Sequence, residues 1–417
     1  MAEGLESLRL MVVAGEESGD AHAAALVRAL RECAPATRFE FFGSTGARMR
    51  EAGVESVVRE DDLAITGLVE IARALPRFAA AYRALKRAAL ERRPDAVVLV
   101  DWPDFNLALA RTLRRRGLKI IYYISPQLWA WRSHRVRQVR RDVDLMLTIL
   151  PFERDWYAAR GVAHVEFVGH PLAGRARPHD SRAEFCARHD LDPSKPVVAL
   201  LPGSRRKEFE RILPVMLDAA ARVSQTTHGA QFSETPPGAR FAEPRPGVQF
   251  VVALASRRSP EEAERVIAAH LEASSLAPRV RIVHDEAREA LAAADAAAVC
   301  SGTATLEAAL TGTPLIVVYK ESALNWHTLG RLINVEHYGL VNLVAGERVA
   351  AELMQDDFNA ASLARELLAL LDPEHNARVR ARLREATARL GEGGASLRAA
   401  DAVLRAVREW KKDGVKG

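Results

Sequence analysis

Two carboxylates and an amide stand within six consecutive residues, Asp101-Trp102-Pro103-Asp104-Phe105-Asn106, directly behind an apolar run at 97–100. Two readings fit. An Asp or Asn in such a loop can cap the next helix, or a strand can end there to deliver an acid or base into a cleft. A second stretch, Leu200-Leu201-Pro202-Gly203-Ser204-Arg205-Arg206-Lys207-Glu208, runs an apolar segment into a Pro-Gly turn. Ser204 can cap the helix that follows, yet its first turn is basic. Positive side chains oppose the helix dipole at that end, so a phosphate or diphosphate between them would resolve the conflict. A solvated charged turn is the competing reading. The companion stretch is Cys300-Ser301-Gly302-Thr303-Ala304-Thr305-Leu306-Glu307. Ser301 or Thr303 can start a helix that Gly312 and Pro314 stop. Thr303 and Glu307 then share one helix face. There a carboxylate can accept both hydrogen bonds of a ribose diol, while Gly302 lets a phosphate approach the backbone. A lone Glu on a helix is otherwise simply surface.

A fourth turn, Ala14-Gly15-Glu16-Glu17-Ser18-Gly19-Asp20, closes the first apolar run. Small residues there let a ligand reach the backbone, and a helix start favours an anion. The spacing is not G-x-G-x-x-G, so a dinucleotide is poorly supported. A tight turn capped by Ser18 or Asp20 explains the stretch about as well.

The elements that must position these residues alternate regularly. Apolar runs at 8–14, 39–43, 96–100, 119–124 and 145–150 are separated by amphipathic or Ala/Arg-rich stretches. A second series follows at 197–201, 250–253, 280–283, 296–300 and 315–318. Continuous apolar runs between helical stretches predict parallel strands covered on both faces. Two such series predict an α/β chain of two doubly wound, Rossmann-like domains rather than one long sheet. The expected division is 1–174 and 175–388, with a C-terminal helix over 389–417 packing back on the N-terminal domain. The Pro/Gly-rich stretch at 225–247 is too long for a usual connection and predicts a surface insertion.

Bulk properties exclude several classes. The chain has 417 residues, enough for two or three domains. Its net charge of +5 does not single out nucleic acid, and it suits an anionic substrate or an anionic membrane surface equally. Three scattered cysteines form no metal-binding or disulfide pattern, which predicts a reducing compartment. The opening "MAEGLES" is acidic, unlike a signal peptide, and no apolar run reaches about 18 residues. A cytoplasmic protein is expected. Leu68, Ile71, Leu75, Phe78, Tyr82 and Leu85 fall at helical spacing, which predicts a core-facing stripe. The flanking Arg73, Arg77, Arg83 and Lys86 permit a second reading, a patch resting on an anionic membrane. The basic stretch 131–141, "WRSHRVRQVRR", reads as a solvated face or as a phosphate or headgroup contact. Neither stretch carries the pattern of a nucleic-acid module.

Taken together, "AGEESGD", "ITGLVEIARALPRF", "PDAVVLVDWPDFN", "YYISPQLWAWR", "PFE", "FVGHPL", "LLPGSR", "SGTATLEAAL" and "VNLVAG" resemble the lipid-A-disaccharide synthase family in content and order. The resemblance implies a GT-B architecture whose two domains face a central cleft. It also implies an inverting glycosyltransferase of lipid A biosynthesis. The donor is UDP-2,3-diacylglucosamine and the acceptor 2,3-diacylglucosamine 1-phosphate, joined as a β-1,6 disaccharide with release of UDP. Asp101 then matches the candidate general base, and Arg205, beside Ser204, would stabilise the departing diphosphate. Ser301, Gly302, Thr303, Glu307 and Asn342 complete the expected UDP-sugar site. Glu16, Ser18, Gly19, Asp20, Trp102 and His170 are expected on the acceptor side or in the cleft. Leu68, Ile71, Leu75 and Phe78 would form a patch on the cytoplasmic face of the inner membrane. Neither cofactor nor metal is implied, and a homodimer is.

Three positions depart from the family pattern: Trp102 replaces a small residue, Val341 a proline and Gly174 an aspartate. Two rivals remain open. A UDP-N-acetylglucosamine 2-epimerase would share the nucleotide features without needing an acylated acceptor. A non-catalytic nucleotide-sugar or lipid-binding protein would bind without turnover.

Overall fold

The computed structural model describes residues 6–60, 68–174, 178–227, 247–255, 259–272, 280–322, 326 and 335–415. The stretch expected as an insertion at 225–247 therefore lies almost wholly outside the described residues. The chain divides into two compact units, one of Met1–Pro171 with Leu390–Gly417 and the other of Leu172–Arg389.

The first unit is built on a sheet of seven parallel strands. They are β1 Ser7–Val13, β2 Arg38–Thr45, β3 Glu55–Arg59, β4 Ala96–Val100, β5 Ile120–Tyr123, β6 Leu145–Thr148 and β7 Val165–Phe167. Their spatial order is β3-β2-β1-β4-β5-β6-β7. All five residues of β4 are fully buried, which explains its unbroken apolar run. Ala96, Val98 and Val100 point into one core, with Ala23, Leu26, Val27 and Leu30 of the helix Glu17–Cys33. Val97 and Leu99 point into the other, with Leu107, Leu109 and Ala110 of the helix Pro103–Arg114.

The C-terminal helix Ala395–Val415 belongs to this unit. Its Ala399, Ala400, Val403, Leu404 and Val407, spaced as one helical face, close the first of these cores. Arg398 near its start donates from Nε to the carbonyl of Val168 at 2.8 Å and lies across Gly169. Gly169 has φ +85°, and a Cβ there would stand 2.2 Å from Arg398 Nη2, so only glycine suits the crossing.

The second unit repeats the architecture with six parallel strands. They are β8 Val197–Leu201, β9 Gln249–Leu254, β10 Val280–His284, β11 Ala296–Cys300, β12 Leu315–Tyr319 and β13 Ala351–Met354. Their order is β10-β9-β8-β11-β12-β13. Three strands have no counterpart among the predicted apolar runs: β3, β7 and β13. Each is a sheet edge, short and only partly covered, so it carries charged or half-exposed residues instead of an apolar run. Among the described residues no helix is long and apolar enough to cross a membrane.

Candidate active site

In each sheet the strand order reverses at one place, and ligands of such folds bind beyond the strand ends at that reversal. In the first unit the reversal falls between β1 and β4. The two turns that follow these strands are Ala14-Gly15-Glu16 and Asp101-Trp102, two of the stretches singled out by sequence. In the second unit it falls between β8 and β11, which are followed by Pro202–Arg205 and Ser301–Thr303, the other two. The topology thus brings the four motifs together in pairs, one pair in each unit.

Asp101 ends β4 in a left-handed conformation, φ +49°, and Trp102 continues it at φ +50°. The Trp102 indole stacks on Phe105 with ring centres 4.0 Å apart and planes 9° from parallel. Its other neighbour is the backbone of Gly15, where a Cβ would stand 2.0 Å from the indole. Gly15 is therefore needed for space. Burial, with the Glu16 carboxylate close by, pushes the Asp101 carboxyl up to about 6. Asp104 is placed differently: exposed, it pairs with Arg132 at 3.0 Å and Arg135 at 2.5 Å, which ties down the start of the basic stretch. Asn106 is buried and donates to the carbonyls of Val100 and Asp101 at 3.2 and 2.8 Å.

The other residues expected on this side separate into two groups. Glu16 and Ser18 are exposed at the start of the helix Glu17–Cys33. Gly19 is buried, and a Cβ there would meet Ala14 Cβ and the Val100 carbonyl at ordinary contact distance. It serves close helix–strand packing. Asp20, expected in the cleft, has its carboxylate engaged by backbone N–H groups. It is buried, and its carboxylate accepts from the N–H groups of Gly46, Arg48 and Met49 at 2.8, 2.8 and 3.2 Å, so it caps the next helix, Ala47–Glu51. His170 is also buried, and burial beside His22 holds its ring down to about 4. The ring is neutral at ordinary pH, and the residue's backbone N–H donates to the Leu390 carbonyl at 2.9 Å.

The helix Leu68–Arg92 carries the apolar stripe, with the side chains of Leu68 and Ile71 outside the described residues. Leu75 is 61% exposed. Phe78, expected on the same patch, is half-buried, its ring centre 6.0 Å from that of Trp102. Tyr82 packs edge-on against Phe105, and Leu85 is fully buried. From Phe78 onward the stripe faces inward.

In the second unit, Gly203 joins the two turns. It adopts φ +103°, and a Cβ there would stand 2.9 Å from Glu208 and 3.1 Å from Cys300 Sγ at the end of β11. Gly302 has open space beside it and φ +149°, so conformation is what selects glycine there. The basic helix start is less frustrated than its sequence implies. Glu208 pairs with Arg205 at 3.0 Å and accepts the Arg205 N–H at 3.3 Å, while Glu210 pairs with Arg206 at 2.7 Å. These carboxylates relieve part of the conflict with the dipole. Ser204 and Arg205 are exposed beside them.

Thr303 is exposed and begins the helix Ala304–Leu310 without a side-chain cap, and Ser301 does not cap it either. The Ser301 hydroxyl donates instead to the Tyr338 carbonyl at 3.0 Å. Glu307 is half-buried, which pushes its carboxyl up against the pull of Arg288. Its carboxylate has no hydrogen-bond partner among the described residues.

Asn342, expected on the nucleotide, is held within the protein itself. It is fully buried and its amide is saturated. It donates to the Ala350 carbonyl and Glu352 Oε1, both at 2.8 Å, and accepts from Val349 and Ala350 N–H at 2.9 and 2.8 Å. Glu352 in turn holds the N–H groups of Tyr338 and Gly339. Asn342 thus supports the segment on which Ser301 leans.

One group escaped the sequence reading of roles. Glu153, in "PFE", is buried and pushed up to about 7, accepting from Trp129 Nε1 at 3.2 Å and from the N–H groups of Ile149 and Leu150 at 3.2 and 3.0 Å. It anchors "SPQLWAWR" to the end of β6. Its place in the first helical turn, just after a proline, was the available signal.

Comparison with known proteins identifies the family and the fold. A family model described as lipid-A-disaccharide synthetase matches residues 10–235 and 239–406. The lipid-A-disaccharide synthase of Trichlorobacter lovleyi is 43% identical over 402 residues, which cover 96% of this chain and 98% of that protein. Among solved structures, a putative UDP-N-acetylglucosamine 2-epimerase from Listeria monocytogenes superposes with TM-score 0.63 at 14% identity, covering 97% of each chain. The calicheamicin glycosyltransferase CalG4 does so with TM-score 0.56 at 18% identity, over 97% of this chain and 98% of its own. Likeness at such identities reports fold alone, and the fold is GT-B. The chain belongs to the lipid-A-disaccharide synthase family, glycosyltransferases that form the lipid A disaccharide.

Proposed function

We propose that the disaccharide forms by direct, inverting displacement with Asp101 as general base. The observation that carries this reading is the largely buried Asp101 carboxyl at the end of β4, pushed up to about 6. Such a group is ionised at neutral pH yet basic enough to take a proton. In the family's reaction the acceptor is 2,3-diacylglucosamine 1-phosphate and the donor UDP-2,3-diacylglucosamine. The acceptor's 6-hydroxyl oxygen attacks the donor's anomeric carbon as its proton passes to Asp101. The bond to the diphosphate breaks, and UDP leaves with the electron pair. Attack opposite the leaving group gives the β-1,6 linkage.

Arg205 and Ser204 would hold the diphosphate, with Ser301, Gly302 and Thr303 opposite them. Glu307, half-buried and without a hydrogen-bond partner among the described residues, would accept the ribose hydroxyls. Glu16, beside Asp101, raises its basicity. Ser18 and Trp102 would contact the acceptor. UDP release measured with the diacylated donor, with and without the 1-phosphorylated acceptor, tests the reaction. Acceptor-dependent release with a disaccharide product is expected. Release of UDP without acceptor, or free N-acetylmannosamine from UDP-N-acetylglucosamine, would favour epimerase-like chemistry instead. UDP binding without turnover would mark a binding protein.

A peripheral association with the cytoplasmic face of the inner membrane is supported by one feature, the exposed Leu75 beside exposed Arg77 and Arg83. Apolar and basic side chains together bind anionic bilayers. Flotation with anionic vesicles is expected to fall for a Leu68→Ser, Leu75→Ser double variant. Equal flotation of a folded double variant would end this reading.

A further inference from the structure

We propose that Tyr122 is a positioning residue for Asp101, its buried hydroxyl locking the turn that presents the carboxylate. The inference rests on Asp101 being the base. Two consecutive residues other than glycine, Asp101 and Trp102, adopt left-handed backbone conformations, φ +49° and +50°. Each costs about 1–2 kcal/mol, and such strain persists only where the surroundings over-determine it. A relaxed backbone would let β4 run on and aim the carboxylate elsewhere.

The restraints converge on one atom. The carbonyl oxygen of Asp101 accepts from the Tyr122 hydroxyl at 2.6 Å and from Asn106 Nδ2 at 2.8 Å, which fills both of its lone pairs. The Asp101 N–H donates to the Tyr123 carbonyl at 3.0 Å, so the peptide groups on both sides of the residue are tied to β5. The following indole is wedged between Gly15 and Phe105.

Packing alone does not call for the Tyr122 hydroxyl. Tyr122 lies on β5 opposite Leu99, fully buried among apolar side chains, where phenylalanine would fill the same space. A phenol in that setting is costly unless it is hydrogen-bonded. Burial, reinforced by the nearby Asp101 carboxylate, keeps its proton on, so it acts as a donor. Because the bond goes to the backbone carbonyl and not to the carboxylate, Tyr122 takes no part in proton transfer.

The test is a cycle of Tyr122→Phe, Asp101→Asn and the double variant, with kcat and KM measured for both substrates. A small misplacement of a reacting group is expensive, so Tyr122→Phe is expected to lower kcat by about tenfold or more while each KM stays within about twofold. In the Asp101→Asn background it should change the residual kcat by less than about twofold, because the group being positioned is gone. The proposal is overturned if kcat is unchanged in Tyr122→Phe while Asp101→Asn is crippled. It is equally overturned if Tyr122→Phe lowers turnover by the same factor in both backgrounds, as a general structural defect would. Wild-type turnover in Asp101→Asn is a different result and removes the base assignment itself. Asn106→Ala, which deletes the other donor to the same carbonyl, guards against a Tyr122→Phe protein that does not fold. The same selective loss of kcat is expected, and an unchanged kcat in folded Asn106→Ala would also overturn the proposal.

Discussion

Asp101→Asn is expected to lower turnover by at least about a hundredfold, the scale of losing a general base. UDP affinity should stay within about twofold, because the substitution lies in the unit that does not carry the Arg205 and Glu307 turns. In the wild type, kcat/KM should rise with pH through a limb near 6, where burial and Glu16 set the Asp101 carboxyl. The same shift makes Asp101 a burden on stability. Its pKa is raised on folding from 3.8 to about 6, so between these values the unfolded chain has already released a proton that the folded protein still holds. Stability therefore falls as pH rises through that window and stays low above it. The neutral amide escapes this cost. Asp101→Asn should resist denaturant better than the wild type at pH 8, by roughly 2–3 kcal/mol, with the gain shrinking as pH falls toward 4. Unfolding curves at the two pH values together with initial rates read both effects. Wild-type turnover with unchanged stability would remove the strained strand end from the mechanism.

That coupling of strain and desolvation was only partly legible in the sequence. Residues buried on both faces announced themselves: the five of β4 form an uninterrupted apolar run because a different core receives each face. The edge strands β3, β7 and β13, the last with Glu352 in it, did not, since a strand covered by one neighbour has no need of such a run. The four site turns were found because they follow buried strands, and topology then gathered them at the two reversals. What the sequence could not supply was the use to which each polar atom is put. Asp20 and Asn342 have residue types suited to a ligand, but their oxygens are consumed by backbone N–H groups of segments 26–29 residues away for Asp20 and 7–8 away for Asn342. Phe78 shared a helical stripe with Leu75, and a period of 3.6 cannot say where along the helix the core ends. For the last helix, expected on the N-terminal domain, the alanine-rich apolar face marked a buried side without naming the residues it meets.

Arg205→Ala is expected to weaken UDP binding by about tenfold to a hundredfold, the value of one to two charge-assisted hydrogen bonds. Turnover should fall as well, since charge develops on the departing diphosphate. The structure adds a second half to this prediction. The Arg205 side chain is 81% exposed and engaged with Glu208 at 3.0 Å. Glu208 is only 12% exposed, but the arginine end of the pair is solvated, which leaves a diphosphate free to compete for it. Glu208 is then a competitor for the arginine as well as the residue that accepts its N–H. Glu208→Gln keeps an acceptor at that capping position while removing the competing charge. It should tighten UDP binding by about threefold or less and make it more sensitive to salt. Calorimetry on both variants separates the possibilities. Unchanged UDP affinity in Arg205→Ala would take the arginine out of the nucleotide site. Weaker binding in both variants would mean that Glu208 holds Arg205 in position for the diphosphate and does not compete for it.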